Sequence, residues 1–256
     1  MPDFVDSHAH IYLKDFKEDI QSVMDESRDT GINKIFMPNI DHLSIEDMLH
    51  LELKFPENCF PMMGLHPCSV KKDFESALYE VESWLSKRNF LAIGEMGIDL
   101  YWDKTYFEEQ KEAFKIQAEM ARKYDLPMVI HCRDSFEETI TLLEALNNKD
   151  LKGVFHCFTG TLSDAERVIK QGFFVGLGGV STFKNSGMSE VIPSIDLDYV
   201  ILETDSPYLA PAPHRGKRNK PSYIPIIANK IAEFKKMNVD EIARITTINA
   251  LKLFKK

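Results

Sequence analysis

Short apolar runs alternate with longer amphipathic stretches along the chain. The pattern predicts a strand at Phe4–His10 before a helix at Phe16–Asp29, and a strand at Lys34–Ile40 before a helix at Ser44–Leu53. Strands at Phe60–His66 and Leu91–Ile98 precede helices at Phe74–Lys87 and Tyr106–Tyr124. Leu126–His131 leads to Phe136–Asn147, and Gly153–Cys157 to Ser163–Lys170. Phe173–Leu177 opens a looser segment that runs to about Ser194. Tyr199–Glu203 is the last predicted strand, and Tyr223–Lys236 and Val239–Phe254 close the chain as helices.

About eight strand–helix units, with no consecutive strands between them, predict an α/β fold with a parallel sheet. Pro127–Ile130 and Val200–Leu202 are apolar at every position, as strands covered on both faces are. Eight units in 256 residues point to a closed (β/α)8 TIM barrel rather than an open sheet. No linker, repeat or low-complexity segment interrupts the pattern, so residues 1–256 read as one domain.

Composition narrows the picture. Hydrophobic residues make up 44% and charged residues 28%, the balance of an ordinary globular protein. The net charge of −9 argues against tight, non-specific wrapping of duplex nucleic acid. It does not exclude a nuclease, because bound divalent cations reverse the local sign at a small site. Cys59, Cys68, Cys132 and Cys157 form no CxxC pair, so reduced thiols and a cytoplasmic location are expected. The start, MPDFVDSHAH, lacks the pattern of a signal peptide, and no apolar run suits a membrane span. A monomer is expected.

The chemistry sits where the apolar runs end. His8 and His10 end the first strand, His66 the third (GLHP), His131 the fifth (VIHCRD) and His156 the sixth (VFHCF). Glu95 lies near the end of the fourth, in IGEMGID, and Asp205 follows the eighth, in LETDSP. In a parallel barrel these positions share one rim, where barrel enzymes keep their sites. Residues two apart in a strand face the same way, as two ligands of one ion must. A single strand histidine is usually a hydrogen-bonded core residue, but burying this whole set without partners or metal is costly. Imidazoles and carboxylates without thiolate suit Zn²⁺, Mn²⁺, Co²⁺, Fe²⁺ or Mg²⁺. Six ligands exceed the needs of one catalytic ion. We therefore expect two divalent cations (Zn, Mg or Mn) bridged by Glu95. His8, His10 and Asp205 would complete the ligands of the first ion, and His131 and His156 those of the second ion. Such a pair activates water and clamps the oxygens of a displacement at phosphorus.

DSHAH, GLHP, GEMGIDLYWD, VIHCRD, FHCFTGT and LETDSPYL, in this order, resemble the signature set of the TatD-like metal-dependent hydrolases. The downstream HRGKRNKPSY is also similar, so the resemblance runs from about Asp6 to about Tyr223. It implies an amidohydrolase-type barrel, a divalent-metal site and deoxyribonuclease activity. It also implies His8, His10, Glu95, His131, His156 and Asp205 as metal ligands. Glu95 stands where wider relatives carry a carboxylated lysine, which favours the TatD branch. Lys220 stands where that family often carries an acid.

Further roles follow by position. Asp205 is a candidate general base as well as a ligand, or a ligand alone. Glu203 and Asp6 are candidates to orient ligand groups from behind, or simply to hold buried hydrogen bonds. His66 could contact a phosphate oxygen or protonate a leaving group, or be structural before Pro67. Arg133 offers a planar fork for phosphate, or an ion pair. His214, Arg215, Lys217, Arg218 and Lys220 form a basic cluster beside the site, phosphate-contacting or merely solvated; Arg215, Lys217 and Arg218 are the substrate-binding candidates. Tyr101, Trp102 and Phe158 either stack on unpaired bases or wall the mouth. Cys132 and Cys157 are expected to point away from the site by strand alternation, and His42 and His50 to lie on the surface. The leading expectation is a deoxyribonuclease acting on single-stranded DNA or DNA ends. An ester or amide hydrolase, such as a D-aminoacyl-tRNA deacylase, is the alternative, and a non-catalytic metal-binding scaffold the third reading.

Overall fold

The computed structural model describes residues 3–146 and 149–256. Eight parallel strands run in chain order: β1 (Phe4–Asp6), β2 (Ile32–Met37), β3 (Cys59–Pro61), β4 (Ile93–Asp99), β5 (Met128–Arg133), β6 (Gly153–Phe155), β7 (Phe174–Leu177) and β8 (Val200–Leu202). They form two ladders, β1 to β3 and β4 to β8. Sparse bonds close the ring between these ladders. At one seam Met63 bridges Ile93, with Leu91 N donating to Pro61 O at 2.9 Å. At the other, Ala9 bridges Ser206, with Ser7 N donating to Leu202 O at 3.1 Å. The result is the TIM barrel expected from the alternation.

Helices α1 (Ile20–Asp29), α2 (Ile45–Lys54), α3 (Phe74–Lys87), α4 (Phe107–Tyr124), α5 (Phe136–Ala145) and α6 (Leu162–Lys170) follow the first six strands. The predicted end of α5 at Asn147 lies outside the described residues. The looser segment after β7 holds a 3-10 turn at Gly179–Thr182 and the short helix α7 (Met188–Val191). Helices α8 (Ile224–Lys235) and α9 (Val239–Phe254) close the chain. Among the described residues no helix is long and apolar enough to cross a membrane.

Inside the ring, Val5, Phe36, Val129, Val154 and Ile201 pack with Ala250, Leu253 and Phe254 of α9. That helix plugs the end opposite the mouth. Parity then carries polar residues into the mouth. His131 lies two residues beyond Val129, His156 two beyond Val154, and Glu203 two beyond Ile201, so each keeps the inward direction. Glu95 breaks parity with Ile93, and the β4–β5 register shifts between Ile93 and Met96; such an irregularity re-aims a side chain.

Several strands are shorter than their apolar runs predict. Phe4–His10 contracts to Phe4–Asp6, and Phe60–His66 to Cys59–Pro61. Beyond these points single backbone bonds such as Ala9 N to Phe36 O and His66 N to Ile40 O hold the chain, and side chains add to them. Gln117 of α4 accepts from Leu65 N at 2.8 Å and donates to Leu65 O at 3.2 Å, fixing the chain just before His66. One face of the same helix offers Gln110, whose Oε1 accepts from Asp99 N at 2.9 Å. Asn219 Nδ2 donates to Thr204 O at 2.6 Å and Tyr208 O at 2.7 Å, clamping the loop that carries Asp205.

Candidate metal centre

Glu95 is almost fully buried at the mouth, and its two oxygens face different groups. Oε2 lies 3.2 Å from His8 Nε2 and 3.4 Å from His10 Nε2. Oε1 lies 2.8 Å from His131 Nδ1, 2.7 Å from His156 Nε2 and 3.3 Å from His66 Nε2. Asp205 Oδ1 joins the first group, 3.6 Å from both His8 Nε2 and His10 Nε2. Asp205 stands three residues past β8 in the left-handed region at φ 58°, a conformation aspartate tolerates better than most side chains. Its N–H donates to His8 O at 2.8 Å, which joins the two loops of this group.

The hydrogen bonds behind the imidazoles decide which nitrogen faces inward with a lone pair. Tyr12 Oη donates to Pro38 O at 2.6 Å, so it must accept from His10 Nδ1 at 2.9 Å. The proton of His10 therefore sits on Nδ1, and Nε2 is left bare. Asp99 Oδ2 accepts from His131 Nε2 at 2.8 Å, which bares Nδ1. His66 is the reverse: its Nδ1 accepts from Cys68 N at 3.0 Å, so its neutral form carries the proton on the inward Nε2. In that tautomer His66 faces the centre as a donor.

Divalent cations would suit this donor set. His8 Nε2 and His10 Nε2 are 3.2 Å apart, and His131 Nδ1 and His156 Nε2 are 3.3 Å apart. Two nitrogens sharing a tetrahedral ion at zinc–imidazole bond lengths stand roughly 3.4 Å apart. Facing lone pairs at such separations repel unless a proton or a cation lies between them. Among the described residues three sets of groups are able to hold an ion: His8, His10 and Glu95; His8, His156 and Asp205; and His66, Glu95 and His131.

Without metal, protons take that role. Burial pulls the His156 imidazole down, but Glu95 and Glu203 outweigh it and hold it well above the usual range. His131 rises against burial through its bonds to Asp99 and Glu95, and His66 through the charge of Glu95. Burial and the charge of His156 drive His8 the other way. Glu95, pushed up by burial, is held well below the carboxylate range by His156, His66 and His8. A raised histidine stabilises the metal-free fold below its unfolded value and loses that contribution as pH rises through the folded one. Zinc binding at pH 7 is therefore expected to release protons, and to release fewer at pH 9. Calorimetric titration in buffers of different ionisation enthalpy reads this directly. A binding enthalpy independent of buffer at pH 7 would contradict the assignment.

The residues expected to orient ligands act in distinct ways. Glu203 Oε1 accepts from Cys157 N at 2.5 Å and stands 3.5 Å from His156 Nδ1, a loose contact that leaves its own Oε2 unpartnered. Asp6 does not touch an imidazole. It accepts from Thr204 N at 2.9 Å, Thr204 Oγ1 at 2.5 Å and His8 N at 3.3 Å, tying the end of β1 to that of β8. Sequence reasoning missed Tyr12 and Asp99. Their signals were Tyr12 two residues after His10 and Asp99 four after Glu95 on one strand. Burial would raise the Asp99 carboxyl, but His131 and the N–H groups of Trp102 and Tyr101 outweigh it and leave it at about 2.

A cavity of about 760 Å³ opens over the centre, lined by His66, Trp102, Arg133, Tyr208 and Leu209 among others. Arg133 lies over the Tyr101 ring, 3.8 Å from its centroid. One expectation needs correction. Cys157 lines this cavity rather than turning from it, whereas the Cys132 thiol turns to Ser135 Oγ at 3.7 Å and packs with the core, as expected. Cys157 lies beyond β6 at φ 47°, where strand alternation no longer applies. Arg215, Lys217 and Arg218 are absent from the cavity lining. Arg218 instead forks onto Asp19, with its Nη1 2.9 Å from Asp19 Oδ1. Lys220, the residue at odds with the family pattern, pairs with Glu26.

Comparison with known proteins agrees with this layout. The family model described as TatD related DNase matches residues 5–255. Metal-dependent hydrolase YabD of Bacillus subtilis is 36% identical over 251 residues, covering 98% of each chain. A protein of Erwinia tasmaniensis named 3'-5' ssDNA/RNA exonuclease TatD is 29% identical, over 93% of this chain and 95% of its own. The crystal structure of YjjV, a TatD homologue from Escherichia coli, superposes with a TM-score of 0.93 at 28% identity, covering 99% of this chain and 98% of that one. A match of this extent, on a barrel whose mouth gathers histidines around a buried glutamate, makes the chain a member of the TatD family of metal-dependent hydrolases.

Proposed function

We propose that the protein hydrolyses phosphodiester bonds of single-stranded nucleic acid, DNA foremost, from strand ends, with two divalent cations bridged by Glu95. The observation that carries the reading is the division of Glu95 between two nitrogen groups, Oε2 toward His8 and His10 and Oε1 toward His131 and His156. His8, His10, Glu95 and Asp205 would hold one ion; Glu95, His131 and His156 the other. Bound there, the ions supply Lewis-acid charge to the phosphoryl oxygens and acidify the attacking water.

The chain's own groups supply the proton transfers. Burial raises the Asp205 carboxyl to about 6, with the charges of Glu95 and Glu203 adding and those of His156 and His10 opposing. From its place at the mouth the Asp205 carboxylate would accept the proton of the attacking water. His66, with its proton on the inward nitrogen, donates to a phosphoryl oxygen or to the oxygen that leaves as the P–O bond breaks. Arg133 lies at the same mouth and suits a phosphate. A cavity of about 760 Å³ has the size of a small-ligand pocket, which admits a nucleotide end rather than a duplex. The exonuclease name of the Erwinia relative points the same way.

The test is metal-stripped protein incubated with single-stranded and duplex DNA, with Mg²⁺, Mn²⁺ or Zn²⁺ restored in turn. Metal-dependent cleavage that favours the single strand is expected. Failure with every metal, in protein shown to hold two ions, would overturn the reading in favour of carboxylic esters or amides.

A further inference from the structure

The basic cluster seen in the sequence does not stay together in the fold. His214 stacks on Tyr223 at 4.4 Å, Arg218 is taken by Asp19, and Lys220 by Glu26. Arg215 instead lines a second cavity, of about 560 Å³, with Thr182, Phe183, Lys184, Asn185 and Lys230. Among the described residues no acid lines it. Lys230 is paired with Glu233 at 2.8 Å. Among the described residues neither Lys184 nor Arg215 has a carboxylate partner. In a chain of net charge −9, a cavity with three cations and no acid in its lining is a marked local reversal of sign.

This cavity adjoins the mouth along two walls. Val180 and Leu209 line the mouth; Thr182 and Ala212, a few residues on, line the second cavity. Ala212 N donates to Thr182 Oγ1 at 2.8 Å, which joins the two walls. At no more than about 3.6 Å per residue, each step from mouth to groove is shorter than about 11 Å. Phe183 lines the second cavity beside Thr182, with the Arg215 guanidinium 4.5 Å from its ring centroid.

We propose that this groove is a binding subsite for the phosphodiester backbone of a single-stranded polynucleotide whose end lies in the mouth. The inference rests on the nuclease reading and extends it from the scissile bond to the nucleotides beyond. Arg215 and Lys184 meet phosphates, Thr182 and Asn185 offer hydrogen bonds, and Phe183 offers a face for an unpaired base. Cations plus a ring are the means by which single strands are held without sequence preference. A small phosphate ester in the mouth would not reach the groove, so the groove distinguishes polymers from fragments.

The test is the double variant Lys184→Ala/Arg215→Ala, in the metal-loaded protein. Both side chains are exposed, so an unchanged melting temperature is expected. The KM for a single-stranded dodecamer should rise at least about tenfold, the scale of losing charged hydrogen bonds, while kcat holds. The KM for bis(4-nitrophenyl) phosphate should not move. The slope of log KM against log salt should become shallower by roughly 1.4, at about 0.7 per cation lost. DNA and RNA dodecamers should respond alike, since the phosphates are common to both. If the wild type cleaves the dodecamer and the variant matches it in KM and salt slope, the groove binds no substrate and the nuclease reading stands. If the wild type cleaves neither dodecamer, the nuclease reading falls and the groove proposal with it.

Discussion

Glu95→Gln is expected to reduce kcat/KM by about a thousandfold or more and to reduce the bound metal from two ions to at most one. The amide keeps the size of the side chain but replaces one acceptor oxygen with an NH₂ group. In the native protein the two oxygens face different groups, Oε2 toward His8 and His10 and Oε1 toward His131 and His156. Whichever way the amide turns, one of these groups meets N–H donors where it had a carboxylate oxygen. That group can use its lone pairs on the amide or on a cation, but not on both. An ion pair that clamps a displacement at phosphorus contributes several kcal/mol to the transition state. At about 1.4 kcal/mol per tenfold, the loss exceeds three decades. Turnover of bis(4-nitrophenyl) phosphate and elemental analysis of the purified variant read the two effects separately. A variant that keeps two ions and near-native turnover would refute the bridging role. One that keeps two ions but loses turnover would leave the metal assignment standing and move Glu95 from holding metal to the chemistry itself.

The ring of strands was legible because burial on both faces leaves an unbroken apolar run, and because each run stops at a polar residue. Where a run stops, though, the backbone ladder need not stop with it. His8, His10 and His66 sit on chain held by Ser206, Ile40 and Gln117, partners far away in sequence. No local pattern reports them. The identity of the inward histidines was equally legible, since two-residue parity from Val129 and Val154 points His131 and His156 into the mouth. Their tautomers were not, because each depends on one acceptor or donor elsewhere: Pro38 through Tyr12, Asp99, or the N–H of Cys68. The run from His214 to Lys220 misled for the opposite reason. Its charges are adjacent in sequence, yet Asp19 and Glu26 draw Arg218 and Lys220 to α1 and leave Arg215 beside Lys184. Adjacency in sequence is a poor guide to where long, flexible cations end up.

Gly97→Ala is expected to leave little soluble protein, and what is recovered should be destabilised by more than about 4 kcal/mol, the range reserved for severe local conflicts. Gly97 lies between Glu95 and Asp99 on β4 at φ 151°, a region that side chains rarely enter. A Cβ there would stand 1.9 Å from His131 O and 2.8 Å from His131 C, both backbone atoms of β5. Neither strand can yield without cost, because Glu95 is held among the imidazoles and Asp99 by His131 and Gln110. Gly172→Ala is the matched comparison. It also has positive φ, at 81°, but an added Cβ meets nothing within 4 Å. It should lose only the roughly 1–2 kcal/mol of a left-handed alanine. Soluble yield and urea unfolding of the two variants side by side separate backbone preference from collision. Equal losses would mean that β4 and β5 move apart freely at this point. A much larger loss at Gly97 would mean that their close approach is rigid. That approach brings His131 between Glu95 on one side and Asp99 on the other. The second glycine of GEMGID is then there for distance: it lets the strand carrying the Glu95 carboxylate lie against the strand carrying His131, which meets it at 2.8 Å.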